Sequence, residues 1–135
     1  MIILLFLSST TYREAVEFFQ DMGMHYDLPV YKACYDLLLE IFQFVKDFGR
    51  EYKFTVGESL KKQTVDLLTL IFRANSRPDK EQVLQEARES IEVIRLFIRL
   101  MKDMHQINLH KFVAINKKVE EVSKQLTGWQ KAMRK

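Results

Sequence analysis

Apolar residues recur every three or four positions through most of this chain, the spacing of helices that each bury one face. Val30, Cys34, Leu37, Ile41, Phe44 and Phe48 form the first such seam and predict a helix from Leu28 to Asp47. Asp27 is placed to act as its N-cap, and Pro29 suits its first turn. Tyr31, Tyr35, Leu38, Phe42 and Val45 form a second stripe about 100° round the same helix. Gly49 breaks the pattern, and a second helix is predicted to run on to Ala74 with the seam Val56, Leu60, Thr64, Leu67, Ile71 and Ala74. Thr64 is tolerable there because its hydroxyl can bond to the preceding turn. Val65, Leu68 and Phe72 lie off this seam, and Gly57, near the helix start, points to a helix beginning or a close backbone approach.

Asn75 to Asp79 reads as a turn, and Asp79 with Gln82 resembles a capping box opening the third helix. Leu84, Ala87, Ile91, Ile94, Ile98 and Met101 are its seam, widened on one flank by Phe97, Leu100 and Met104. Arg88, Arg95, Arg99 and Lys102 line up on the other flank. After a break at His105 to Asn108, with Asn108 the expected N-cap, the last seam reads Phe112, Ile115, Val119, Val122, Leu126, Trp129 and Met133. Lys117, Lys124, Lys131 and Lys135 run opposite it. Trp129, on the seam, is expected to pack in the core. Helices of this length with short connections predict an all-α, antiparallel up-down-up-down four-helix bundle. The extra apolar stripes would have no partner in a monomer, which predicts a homo-oligomer. A ring and a two-fold dimer both remain open.

The first residues break from this pattern. Ile2 to Leu7 look briefly like a signal peptide's apolar region, but the run is short and no basic residue precedes it. Ser8 to Thr11 follow at once and exclude a membrane span. Tyr12 to Gln20 could form a short acidic helix. Residues 1–24 are therefore expected to be an arm, or to lie upstream of a natural start at Met22 or Met24, and the bundle is assigned to residues 25–135.

Charge sharpens the division. Residues 1–27 hold Arg13 against Glu14, Glu17, Asp21 and Asp27, a net of −3, whereas residues 28–135 hold 20 Lys+Arg against 14 Asp+Glu, a net of +6. Residues 105–135 carry seven Lys and Arg against Glu120 and Glu121. Such a surface attracts nucleic acid, anionic membrane or acidic protein, and charge alone does not choose. The two cationic rows, read as lacking matching acids, raise the weight of phosphate binding, with contacts to the backbone rather than to bases. No signature of a sequence-specific nucleic-acid reader is present.

Candidate chemistry is sparse. His105 and His110 are about 140° apart round a helix and cannot share a face. The Glu-x-x-His spacing of di-iron bundles is missing, and residues 57–62 lack the spacing of a phosphate loop. Cys34 is the one cysteine. It has no cation or histidine placed on its face, and reads as a small core residue in a reducing, cytoplasmic setting. No catalytic residue, metal site or cofactor is expected.

The stretches LPVYKACYDLLLEIF (28–42), EYKFTVGESLKK (51–62), LLTLIFRAN (67–75), IRLFIRLMKD (94–103) and, most sharply, SKQLTGWQK (123–131) carry a resemblance. They resemble the four-helix-bundle proteins grouped with the product of the 23S ribosomal RNA intervening sequence. Within that group they are most similar to the accessory variability determinants, Avd, of diversity-generating retroelements. The resemblance covers about Leu28 to Lys131. It implies a basic homopentamer, without catalytic activity of its own, that binds a reverse transcriptase and template RNA or DNA during mutagenic retrohoming. It places nucleic-acid or polymerase contact at Arg73, Arg95, Arg99 and Lys102, with Lys124, Lys131, Arg134 and Lys135 as a second group. Tyr31, Tyr35, Phe42 and Phe72 become the subunit-interface candidates. A generic interaction bundle, ribosome-associated or meeting an acidic protein, is the competing expectation.

Overall fold

Pro29 opens the first helix because its fixed φ and missing N–H suit a helix start. In the computed structural model, which describes residues 28–134, α1 runs Pro29–Lys46 with Leu28 at the N-cap position. Asp27, the expected cap, and the whole of the 1–24 segment lie outside the described residues, as does Lys135. Three further long helices follow a single-turn one: α2 Arg50–Lys53, α3 Val56–Ser76, α4 Glu81–Asp103 and α5 Leu109–Met133. No strand occurs among the described residues.

The four long helices make a bundle in which each packs on its chain neighbours and α5 closes against α1. Direction follows from paired residues. Along α4, Glu81, Gln85 and Arg95 meet Arg134, Gln130 and Glu120 of α5, so one helix descends as the other rises. Glu40 and Asp47 of α1 meet Lys118 and Lys111 of α5 in the same reversed order. Lys61 of α3 lies over the Phe42 ring, while Gly57 abuts Val45, so α1 and α3 also run antiparallel.

The seam residues form the core. All six of the first seam and all six of the α4 seam are buried, as are Leu60, Leu67, Ile71 and Ala74 of α3 and Ile115, Val119, Val122 and Leu126 of α5. Each such aliphatic side chain contributes on the order of 1.5–3 kcal/mol by leaving water. Thr64 is buried and donates to the Leu60 carbonyl at 2.8 Å. Trp129 is half-buried and packs against the core.

Four local expectations are corrected. Gly49 is not followed directly by the second long helix. The α2 turn intervenes, because the chain must fold back so that Gly57, on α3, can rest against the last turns of α1. A Cβ there would lie 2.7 Å from Val45 Cγ1. The Asp79–Gln82 capping box is not made, and α4 begins after Lys80 without a side-chain cap. Lys80 instead turns back, and its ammonium donates to the Ala74 and Arg77 carbonyls, both at 2.6 Å. A cation is stabilising there, at the negative end of the α3 dipole. Met133 is exposed, and Gln130 takes the buried place at that end of α5. Finally, the second stripes of α1 and α3 do find partners within the subunit: Tyr31, Tyr35, Val45, Val65 and Leu68 are buried, and Phe72 packs against the core. Asn108 does cap α5, accepting from the Lys111 N–H at 2.8 Å.

Candidate nucleic-acid interface

Arg88 and Arg95 project from the flank of α4 that faces α5, and that position sets their partners there. Arg88 is half-buried and donates through Nη1 to Gln130 Oε1 at 2.5 Å. Gln130 Nε2 in turn donates to Gln85 Oε1 at 3.1 Å, so the buried amide is satisfied on both sides. Arg95 lies between two carboxylates, Glu92 at 3.0 Å and Glu120 across the groove. Arg99 reaches Asp103 at 3.8 Å. Among the described residues Lys102 has no carboxylate partner, and it holds its ammonium 5.0 Å from the centre of the Phe112 ring. At the far end of the helix pair, Arg134 bonds to Glu81 at 2.9 Å.

The reading of two cationic rows without matching acids is thus overturned in part. Arg95, Arg99 and Arg134 have acids beside them. Arg73, Lys102, Lys124 and Lys131 enter no ion pair among the described residues. Arg73 is exposed near the end of α3. Lys117, Lys124 and Lys131 are all exposed and recur at seven-residue spacing, so they share one outward face of α5. That row is the clearest extended positive feature of the described bundle. The exposed ion pairs on α4 contribute little to stability, about 0–1 kcal/mol each, but they cancel much of the field their arginines would otherwise project.

Among the four proposed subunit contacts, Tyr31 and Tyr35 are buried in the core and offer no surface to a neighbour. Phe42 is half-buried with Lys61 5.2 Å from its ring centre, and Phe72 is half-buried. Outward-facing apolar residues include a row along α4 and its cap, Val93, Leu96, Leu100 and Met104, with Leu96 65% exposed; Leu39, Phe54, Leu109, Val113 and Met133 are exposed elsewhere. Leu100 and Met104 were legible as a flank of the α4 seam. Their exposure was not, because it depends on where α3 and α5 pack.

The described residues hold no group of three or more His, Cys, Asp or Glu that could bind a metal ion. Cys34 is buried and desolvation pushes its thiol pKa up, which keeps it a neutral, unreactive thiol. No helix of the described residues is long and apolar enough to cross a membrane. A surface hollow between α1 and α5, about 310 Å³, is lined by both charge signs, with Lys32 and Lys118 against Asp36 and Glu121.

No curated protein and no solved structure matches this chain. The family described as bAvd-like does match, over residues 29–133, from the first residue of α1 to the last of α5. The chain belongs to the bAvd-like family.

Proposed function

We propose that this protein is a non-catalytic accessory factor of a diversity-generating retroelement, binding reverse transcriptase and template nucleic acid through a positively charged oligomeric surface. Family membership across the whole bundle is the observation that carries this reading. The row Lys117, Lys124 and Lys131 supports the nucleic-acid part, since these lysines are exposed, enter no ion pair among the described residues, and can act on phosphates by releasing condensed counterions. Arg73 and Lys102 add positive charge on other helices.

The oligomer is proposed to form through α4. Val93, Leu96, Leu100 and Met104 recur at 3-4-4 spacing on one face. A continuous exposed apolar stripe of that kind marks a protein contact. A second copy is the proposed occupant, and five copies are what the family resemblance implies.

Titration of structured RNA and duplex DNA with the full chain over a salt series tests the nucleic-acid part. Binding at low salt that weakens linearly in log–log form is expected; absence of binding at low salt would refute it. Light scattering tests the assembly, with a mass several times 16.1 kDa expected. A particle of one chain would remove the ring. A co-purification of the tagged chain with the reverse transcriptase encoded beside it tests the third part, and loss of that complex in the Leu96→Asp variant would assign the α4 stripe to the polymerase instead of a second copy.

A further inference from the structure

Phe54 is 65% exposed, although the turn that carries it is firmly held. Tyr52 and Lys53 both donate their N–H groups to the Gly49 carbonyl at 2.9 Å, and Thr55 Oγ1 donates to the Glu51 carbonyl at 2.7 Å. On one side Gly49 is bonded to Gln106; on the other Gly57 abuts Val45. Tyr52 folds inward and packs against the core. Its neighbour two residues on does the reverse. A braced backbone that leaves a phenyl ring in water forgoes roughly 1.5–3 kcal/mol of burial.

The surroundings of that ring are cationic. Arg50 and Lys53 are one helical turn apart on α2, and Lys46 ends α1 just before it. None of the three enters an ion pair among the described residues. Asp47 is paired with Lys111, leaving Glu51 as the carboxylate on this turn, about 100° round from Arg50. An exposed aromatic ring on a braced backbone, with cations one and four residues before it that enter no ion pair among the described residues, is the arrangement that takes a base by stacking and its phosphates by charge. Duplex nucleic acid presents no open base face, so an unpaired strand is the occupant that uses both the ring and the cations.

We infer that the α2 turn is a binding site for single-stranded nucleic acid, with Phe54 as the stacking platform and Arg50 and Lys53 as phosphate contacts. This rests on the nucleic-acid reading above and adds to it a site and a strand state. The site stands apart from the α5 lysine row, whose contacts are purely electrostatic.

The test titrates the full chain with a labelled single-stranded oligoribonucleotide of mixed sequence, and with the same strand annealed into a duplex. Phe54→Ala is expected to weaken single-strand binding by about tenfold or more, with duplex binding unchanged. Phe54→Tyr, which keeps the ring, should bind like the parent. Arg50→Gln with Lys53→Gln should instead flatten the salt dependence by a slope of roughly 1.4 for a single strand. Thermal unfolding of each variant reports that the exposed substitutions leave the bundle intact. Equal single-strand affinity of Phe54→Ala and parent would overturn this site while leaving the general reading standing. A parent protein that binds neither strand form at low salt would overturn both.

Discussion

The backbone N–H of Gly49 donates to Oε1 of Gln106 at 2.7 Å, tying the link after α1 to the link before α5 across 57 residues of sequence. The same amide's Nε2 donates to the Met104 carbonyl at 3.0 Å, so one side chain satisfies a loop donor and a helix-end acceptor together. Both links are exposed, so water competes for each bond. Gln106→Ala is expected to lower stability by about 0.5–1.5 kcal/mol, read from the urea midpoint at constant m-value. An unchanged midpoint would mean that water replaces the amide without loss.

His105 occupies a left-handed helix-end position that is usually given to glycine. Its φ is 60°, the left-handed region, directly after the α4 cap. The Gln106 N–H reaches the Met101 carbonyl at 2.8 Å and the His105 N–H the Lys102 carbonyl at 3.0 Å, which is the Schellman ending. A β-carbon there costs about 1 kcal/mol. His105→Gly should therefore raise stability by roughly that amount, visible as an increased Tm. A decrease would show that the imidazole makes a compensating contact.

Two helical glycines should respond in opposite ways to the same change. Gly57 is buried, and an added Cβ would meet the stiff, β-branched Val45 at 2.7 Å and the Tyr52 carbonyl at 3.2 Å. Gly57→Ala should cost about 1–3 kcal/mol through overpacking, in spite of alanine's better helix propensity. At Gly128, on the exposed face of α5, nothing lies within 4 Å of where a Cβ would stand. Gly128→Ala should stabilise by about 0.5–1 kcal/mol. Urea unfolding of the two variants beside the parent gives both signs in one experiment.

Cys34 is fully buried and its thiol pKa is raised by desolvation. In the unfolded chain it ionises near the ordinary value of about 8.5. Below that pH both states hold the proton and the thiol adds no pH dependence. Above it the unfolded state alone loses the proton, so stability falls as pH rises, by at most about 1.4 kcal/mol per pH unit. The difference in unfolding free energy between parent and Cys34→Ala should therefore shrink from pH 8.5 upward. Reaction with a thiol reagent should be slow in buffer and fast in urea. Rapid labelling of the folded protein would contradict the burial.

The seams were legible in the sequence because each helix's buried face is a property of that helix alone. The outward faces were not. Tyr31 and Tyr35 look like surplus apolar residues on a wheel of α1, yet neighbouring packing buries them in the core. Leu100 reads as part of a flank that widens the buried face of α4, yet it is exposed. Met133 reads as the buried residue ahead of Gln130, because a polar side chain reads as surface until Arg88, 42 residues away, supplies its partner. Phe54 carried a weak signal, an aromatic between Lys53 and Thr55 outside any seam. The cations were visible by type and spacing, but the pairing of Arg95 with Glu120 and of Arg134 with Glu81 depends on the register of α4 against α5.

That register gives a direct comparison between free and paired cations. Lys124 and Lys131 are exposed and enter no ion pair among the described residues, although Glu120 and Glu121 line the same hollow as Lys124. Removing one cation that neutralises a phosphate should reduce the salt slope of duplex binding by about 0.9. Lys124→Gln with Lys131→Gln should thus flatten it by roughly 1.8 and weaken binding evenly across sequences. Arg95, held by Glu92 and Glu120, already has local counter-charges. Its replacement by Gln removes a cation without releasing a matching set of ions, so Arg95→Gln should change the slope by less than half as much as either lysine alone. Measured by fluorescence titration at several salt concentrations, equal slopes for the arginine and single-lysine variants would mean that binding draws on net charge alone. Unchanged slopes in the double-lysine variant would take the α5 row out of the interface.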